Sequence, residues 1–91
     1  MRVSYAAAFL RLTAKLDPSV KESVKEAVGK VIDFYEGGKK EPGLGVKRLR
    51  RNIWEARAGL QIRVLYSLSG DELRFILAGS HDDVTRFLRH L

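Results

Sequence analysis

Ninety-one residues give room for one domain with a thin core and not for two. Hydrophobic residues at 45% and charged residues at 31% are globular proportions and exclude a disordered chain. The sequence holds no cysteine, which excludes disulfides, thiol catalysis and thiolate-bound zinc and suits a reducing cytoplasm.

At the N-terminus, Met1-Arg2, the apolar run Val3 to Leu10 and the pair Ala6-x-Ala8 imitate a secretory signal. The run is short, and Arg11 and Lys15 follow where small neutral residues belong, so the segment is read as part of the domain. Arg2 to Tyr5 is expected to be a short edge strand, and Ala7 to Leu16 a helix with Phe9, Leu12 and Leu16 on one face. Asp17-Pro18 stops this helix and starts a second, with Asp17 as N-cap and Pro18 at the first helical position. Val20, Val24, Ala27, Val28, Val31 and Tyr35 form one stripe of that second helix, and Gly37-Gly38 ends it. Together the two make a helical hairpin.

Lys39 to Gly45 reads as a loop, with Pro42, Gly43 and Gly45. Three strands follow the basic run behind it: Ile53 to Ala58, Gln61 to Leu68 and Leu73 to Ala78, with turns at Ala58-Gly59 and Ser69-Gly70-Asp71. The middle strand alternates Ile62, Val64, Tyr66 and Leu68 on one face with Arg63, Leu65 and Ser67 on the other. Asp83 to Leu91 has helical spacing, capped by Ser80 or Asp82. No apolar run is long enough to cross a bilayer, so no membrane partner is expected. The expected architecture is a single α+β domain over residues 1–91, with the N-terminal helical hairpin packed on a small twisted antiparallel sheet and a short C-terminal helix. With the helices on one face, the opposite face is left open, and function is expected there.

Of the net charge of +6, residues 47–63 alone carry +5: Lys47, Arg48, Arg50, Arg51, Arg57 and Arg63 against Glu55. An even spread would serve solubility. Concentration in one segment points to a polyanionic partner such as RNA or DNA.

The segments Lys39-Lys40-Glu41-Pro42, Ile53-Trp54-Glu55-Ala56-Arg57, Gln61-Ile62-Arg63-Val64-Leu65-Tyr66 and Phe75-Ile76-Leu77-Ala78-Gly79-Ser80-His81 together resemble the RelE/ParE toxin superfamily. The resemblance covers roughly residues 39–83, and the Gly-Ser-His-Asp-Asp ending is similar to the Gly-His-His-Asp-Asp of RelE-like domains. It implies the toxin of a toxin–antitoxin module, with an acidic antitoxin as partner in a hetero-oligomer. It further implies a cytoplasmic translation inhibitor that cleaves messenger RNA on the ribosome as an endoribonuclease. No metal or other cofactor is implied. In the ParE branch the target is DNA gyrase, and a RelE-fold binding protein without catalysis is the further alternative.

Such cleavage uses the ribose 2′-hydroxyl as nucleophile, so the protein must help move protons and neutralise phosphoryl charge. Arg63 interrupts an apolar strand, matches the superfamily's Arg-x-x-Tyr, and can hold two phosphate oxygens at once. A paired arginine on the outer face is the alternative. His81 stands where some members place a general acid, against a capping or surface histidine. Asp82 follows it, where some active relatives carry an aromatic. Glu41 and Glu55 compete as general base, Glu55 with an ion pair as its other fate, since it shares a strand face with Arg57. Arg57 is expected to join Arg63 around the phosphate. Lys47, Arg48, Arg50 and Arg51 are expected to contact RNA backbone without sequence preference. Trp54 is read as core, and Arg86, Arg89 and His90 as the wet side of the last helix.

Overall fold

Strand alternation sets the layers of the molecule. In the computed structural model, which describes residues 1–38 and 44–91, β1 (Arg2–Tyr5) is followed by α1 (Ala7–Ala14) and α2 (Pro18–Gly37). Then come β2 (Lys47–Arg48), β3 (Ile53–Ala58), β4 (Ile62–Ser69), β5 (Glu72–Gly79) and α3 (His81–Arg89). The five strands lie in the order β1-β5-β4-β3-β2. Neighbours from β2 to β5 are antiparallel, as tight turns between sequential strands require, and β1 adds to the outer side of β5 in parallel. Ser69 pairs with Glu72 across a two-residue turn, and Gly70 takes the φ of 60° that such a turn demands and that side chains disfavour.

One face of the sheet meets the helical hairpin. Val64 and Tyr66 of β4, Leu73 and Phe75 of β5, and Ala56 of β3 are buried there against Phe9 of α1 and Val24, Ala27 and Val31 of α2. Aromatic rings occupy the centre of this core, where burial returns the most free energy per residue. Tyr66 is fully buried and shares a hydrogen bond of 2.9 Å with the Tyr35 hydroxyl, which satisfies both groups. Burial, and then the Tyr35 hydroxyl, push its ionisation far above the ordinary tyrosine range.

The other face is not left open as the sequence reading expected. Leu65 and Leu77 point to it, and α3 covers them with Val84, Phe87 and Leu88, joined by Leu12 of α1. The reason lies in β5. Leu65 pairs with Leu77 but Tyr66 pairs with Phe75, so Ile76 is an extra residue in a β-bulge. The bulge shifts the side-chain alternation by one, turning Leu77 and Gly79 away from the hairpin and giving the apolar stripe of α3 a surface to bury. Beyond α3 the same face carries Lys47, Glu55, Arg57 and Arg63.

The helices differ from expectation only at their ends. Asp17 occupies the N-cap position of α2, but its side chain makes no capping hydrogen bond, and α1 stops at Ala14. At the far end Gly38 closes α2 with a φ of 72°. α3 starts at His81, two residues before the expected Asp83, because Ser80 caps it. Among the described residues no helix is long and apolar enough to cross a membrane.

Candidate nucleic-acid site at a corner of the sheet

Register brings together the residues that matter. Arg57 is the direct cross-strand partner of Arg63, and Arg63 that of Gly79, so one row crosses β3, β4 and β5. His81 lies two residues past the end of that row, as the first residue of α3. Thus the backbone positions of Arg57, Arg63 and His81 share one end of the sheet, although 24 positions separate Arg57 from His81 in the chain.

The Arg63 guanidinium is lightly held. Its Nε lies 3.9 Å from Glu55 Oε2, and its NH1 lies 3.4 Å from the carbonyl oxygens of Leu60 and Ile62. These distances exceed the 2.7–3.2 Å typical of N–H···O bonds, so a phosphate with two well-placed oxygens is a better partner than any it has. Glu55 is therefore ion-paired as one of its expected fates required, but diagonally with Arg63. The Arg57 stem lies along Gly45, where an added Cβ would come within 3.1 Å of its Cδ and Nε. Gly45 has a φ of 59°, so both space and backbone favour glycine there.

His81 is exposed, and among the described residues only its backbone is engaged, its carbonyl accepting from Thr85 Oγ1 at 3.0 Å. Glu41, the other expected base, lies outside the described residues. Among the described residues, no group of three or more His, Cys, Asp or Glu side chains is placed to hold a metal ion.

The basic run is divided by its own strand. Lys47 pairs with Glu55 and so shares the face of Arg63, whereas Arg48 pairs with Trp54 and faces the other way. Trp54 packs against the main core, and the Arg48 guanidinium stands over its ring at 5.6 Å from the centroid. Arg48 also donates to the carbonyl oxygens of Arg51 at 2.8 Å and Arg50 at 3.2 Å. It shapes the β2–β3 turn, on whose tip Arg50 and Arg51 stand exposed. Strand alternation, not composition, puts Lys47 and Arg48 on opposite faces.

Sequence reasoning missed Gly79 and Asp83. The signal was present as Ser80-x-x-Asp83, the spacing of a capping box. Hydrogen bonds from the Ser80 backbone N–H and then its hydroxyl, with Arg86 adding, hold the Asp83 carboxyl below the usual aspartate range against the opposing effect of burial. With the folded value below the unfolded one of about 3.9, this contribution to stability is complete at neutral pH and is lost as pH falls through the folded value. Acid unfolding of the Asp83→Asn variant should accordingly show a shallower dependence on pH below about 4 than the wild type. Identical slopes followed by circular dichroism would remove Asp83 from the acid response.

A helical hairpin on one face of a five-stranded sheet and a short helix on the other make a small basic α+β unit whose topology is RelE-like. Solved structures of that fold superimpose over nearly the whole chain. The Escherichia coli DinJ–YafQ toxin–antitoxin complex matches with a TM-score of 0.70 at 17% identity, covering 90% of this chain and 93% of that one. The RelB–RelE antitoxin–toxin complex of Methanococcus jannaschii gives 0.68 at 13%, covering 91% and 95%. A YoeB/ParE toxin from Agrobacterium tumefaciens gives 0.67 at 16%, covering 89% and 99%. No family model matches the chain, and no curated protein matches it.

Proposed function

We propose that this chain is the toxin of a toxin–antitoxin module and cleaves messenger RNA on the translating ribosome. The carrying observation is the row Arg57–Arg63–Gly79 with His81 beside its end, which brings two arginines and a histidine to one corner and supports phosphate binding and proton transfer there. In this reading a ribose 2′-hydroxyl gives up its proton and its oxygen bonds to the adjacent phosphorus. The bond from phosphorus to the 5′-oxygen breaks, and that oxygen takes up a proton. The products are a 2′,3′-cyclic phosphate and a free 5′-hydroxyl. Arg63 and Arg57 neutralise charge on the phosphoryl oxygens, and His81 supplies the proton to the leaving oxygen. Glu41 receives the first proton, with Glu55 as the alternative base once Arg63 turns to the phosphate. Side chains suffice for every step, so no metal is invoked. Lys47, Arg50 and Arg51 hold RNA backbone, and the ribosome presents the message in the geometry this sparse site does not impose alone.

The partner is an acidic antitoxin covering residues 47–63, where so much like charge calls for compensation. Two of the structures of the same fold are toxin–antitoxin complexes, which supports that reading. This work belongs in the cytoplasm. A second reading, a non-enzymatic inhibitor of DNA gyrase, draws on the Glu55–Arg63 pair and on Asp82 in place of an aromatic after His81.

Expressed without its antitoxin, the chain should slow growth and cut translated messages while free RNA stays intact. Mapping of transcript ends together with DNA topology checks this. Intact transcripts with gyrase-linked DNA breaks would transfer the chain to the second reading.

A further inference from the structure

The chain passes from β5 into α3 through Ser80 alone, and one carboxylate fixes the passage. Asp83 Oδ2 accepts from the Ser80 backbone N–H at 2.8 Å and from Ser80 Oγ at 3.0 Å, and the Asp83 N–H donates to Ser80 Oγ at 3.1 Å. The other oxygen, Oδ1, accepts from Arg86 at 3.2 Å. A capping box ordinarily uses Glu or Gln at this place to reach back to the N-cap backbone. Aspartate is one methylene shorter and reaches only if the strand end comes close.

Gly79 allows that approach. A Cβ built there would lie 2.7 Å from Asp83 Oδ2 and 2.9 Å from Asp83 Cβ, closer than real Cβ contacts come. Gly79 has no positive φ, so glycine serves here for space and not for backbone freedom. Gly79 is also the register partner of Arg63, and His81 is the residue directly after Ser80. The clamp therefore ties the strand row that carries Arg63 to the helical turn that carries His81.

We infer that Asp83 is a positioning residue: through Ser80 and the bare backbone of Gly79 it holds His81 in a fixed place beside the end of the Arg57–Arg63–Gly79 row. The inference deepens the proposed cleavage reaction and rests on the role given there to His81. A side chain that must protonate a leaving oxygen gains from such a hold, since a misplacement of about 1 Å can cost on the order of 10²-fold in rate. Exposed and otherwise unbonded among the described residues, the imidazole gets its placement from the backbone beneath it.

Four variants test this. Asp83→Ala removes the clamp, Gly79→Ala leaves every functional group in place but expels the carboxylate, and Asp83→Asn keeps an acceptor oxygen of the same reach. Ser80→Ala removes the two bonds made by the Ser80 hydroxyl but keeps the backbone N–H bond at position 80 to Asp83 Oδ2, so it lowers stability while retaining the placement. Two readouts are needed: the ¹⁵N order parameter of His81 in the intact chain, and single-turnover cleavage on programmed ribosomes. Asp83→Ala and Gly79→Ala should lower the His81 order parameter from about 0.85 to below about 0.6. They should slow cleavage at saturation by about tenfold or more with half-saturation unchanged within about twofold. Asp83→Asn and Ser80→Ala should stay within about threefold of wild type in rate. An unchanged order parameter and rate in Asp83→Ala and Gly79→Ala overturns the inference. So does a Ser80→Ala rate that falls in step with its melting temperature, for then the cap acts through stability alone. A wild type that leaves messages intact defeats the cleavage reading, and the order parameters then decide by themselves whether the clamp holds His81.

Discussion

Replacing Arg63 with alanine should abolish cleavage while leaving ribosome association almost unchanged. The chain carries 17 lysines and arginines, so one guanidinium contributes little to overall attraction for a polyanion. Its value is expected where charge builds on the phosphoryl oxygens, where a single fixed donor is worth about 10²–10³ in rate. Arg50→Ala and Arg51→Ala should do the reverse, giving weaker and more salt-sensitive association with an unchanged rate at saturation. Arg48→Ala belongs to neither group, because its guanidinium holds the turn on which Arg50 and Arg51 stand. Arg63→Lys separates a catalytic guanidinium from a bare charge: it keeps the cation beside Glu55 but cannot hold two phosphate oxygens at once, so its cleavage should also fall. The assay is single-turnover cleavage on programmed ribosomes with binding measured in parallel. If Arg63→Ala cuts at the wild-type rate once saturated, the catalytic corner is elsewhere.

Much of this geometry is legible in the sequence. The two faces of β4 follow from strict alternation in Ile62 to Leu68, and α2 follows from its stripe and its Pro18 and Gly38 boundaries. The core position expected for Trp54 is the one it takes, packed against the main core. What could not be read depends on pairing between distant segments. The parallel partner of Arg2–Tyr5 is 70 positions away, and nothing in four residues names it. The bulge at Ile76 looks in sequence like an ordinary apolar step of Leu73 to Ala78, yet it turns Leu77 and Gly79 toward α3. For that reason the open face was expected whole, and Gly79 passed as a strand end. The basic run was visible as charge, whereas its division between two faces required knowing that Lys47 and Arg48 form a strand of their own.

The largest loss of stability is expected from Phe75→Ala. Phe75 is fully buried, and its ring centroid lies 5.5 Å from that of Tyr5, 5.9 Å from Phe9 and 6.0 Å from Tyr66. It thereby joins β1, α1 and the central strands at one point. Truncation removes the transfer free energy of the ring and leaves a cavity with walls on three elements that cannot all close in, at a cost of about 3–5 kcal/mol. Against roughly 5–15 kcal/mol for a whole small domain, that is a large share, and it corresponds to a fall in Tm on the order of 20 °C. The consequence for the site is register. Phe75 and Tyr66 face each other on the near side of the bulge, and Leu65 and Leu77 on the far side, so burial of the ring helps pin the pairing that sets Gly79 beside Arg63. Tyr66→Phe should cost far less, about 1 kcal/mol, because it removes one hydroxyl whose partner Tyr35 is only half-buried. Urea unfolding measures both through the midpoint at constant slope. A Phe75→Ala variant within about 1 kcal/mol of wild type would show that the hairpin packs on the sheet without this ring at its centre.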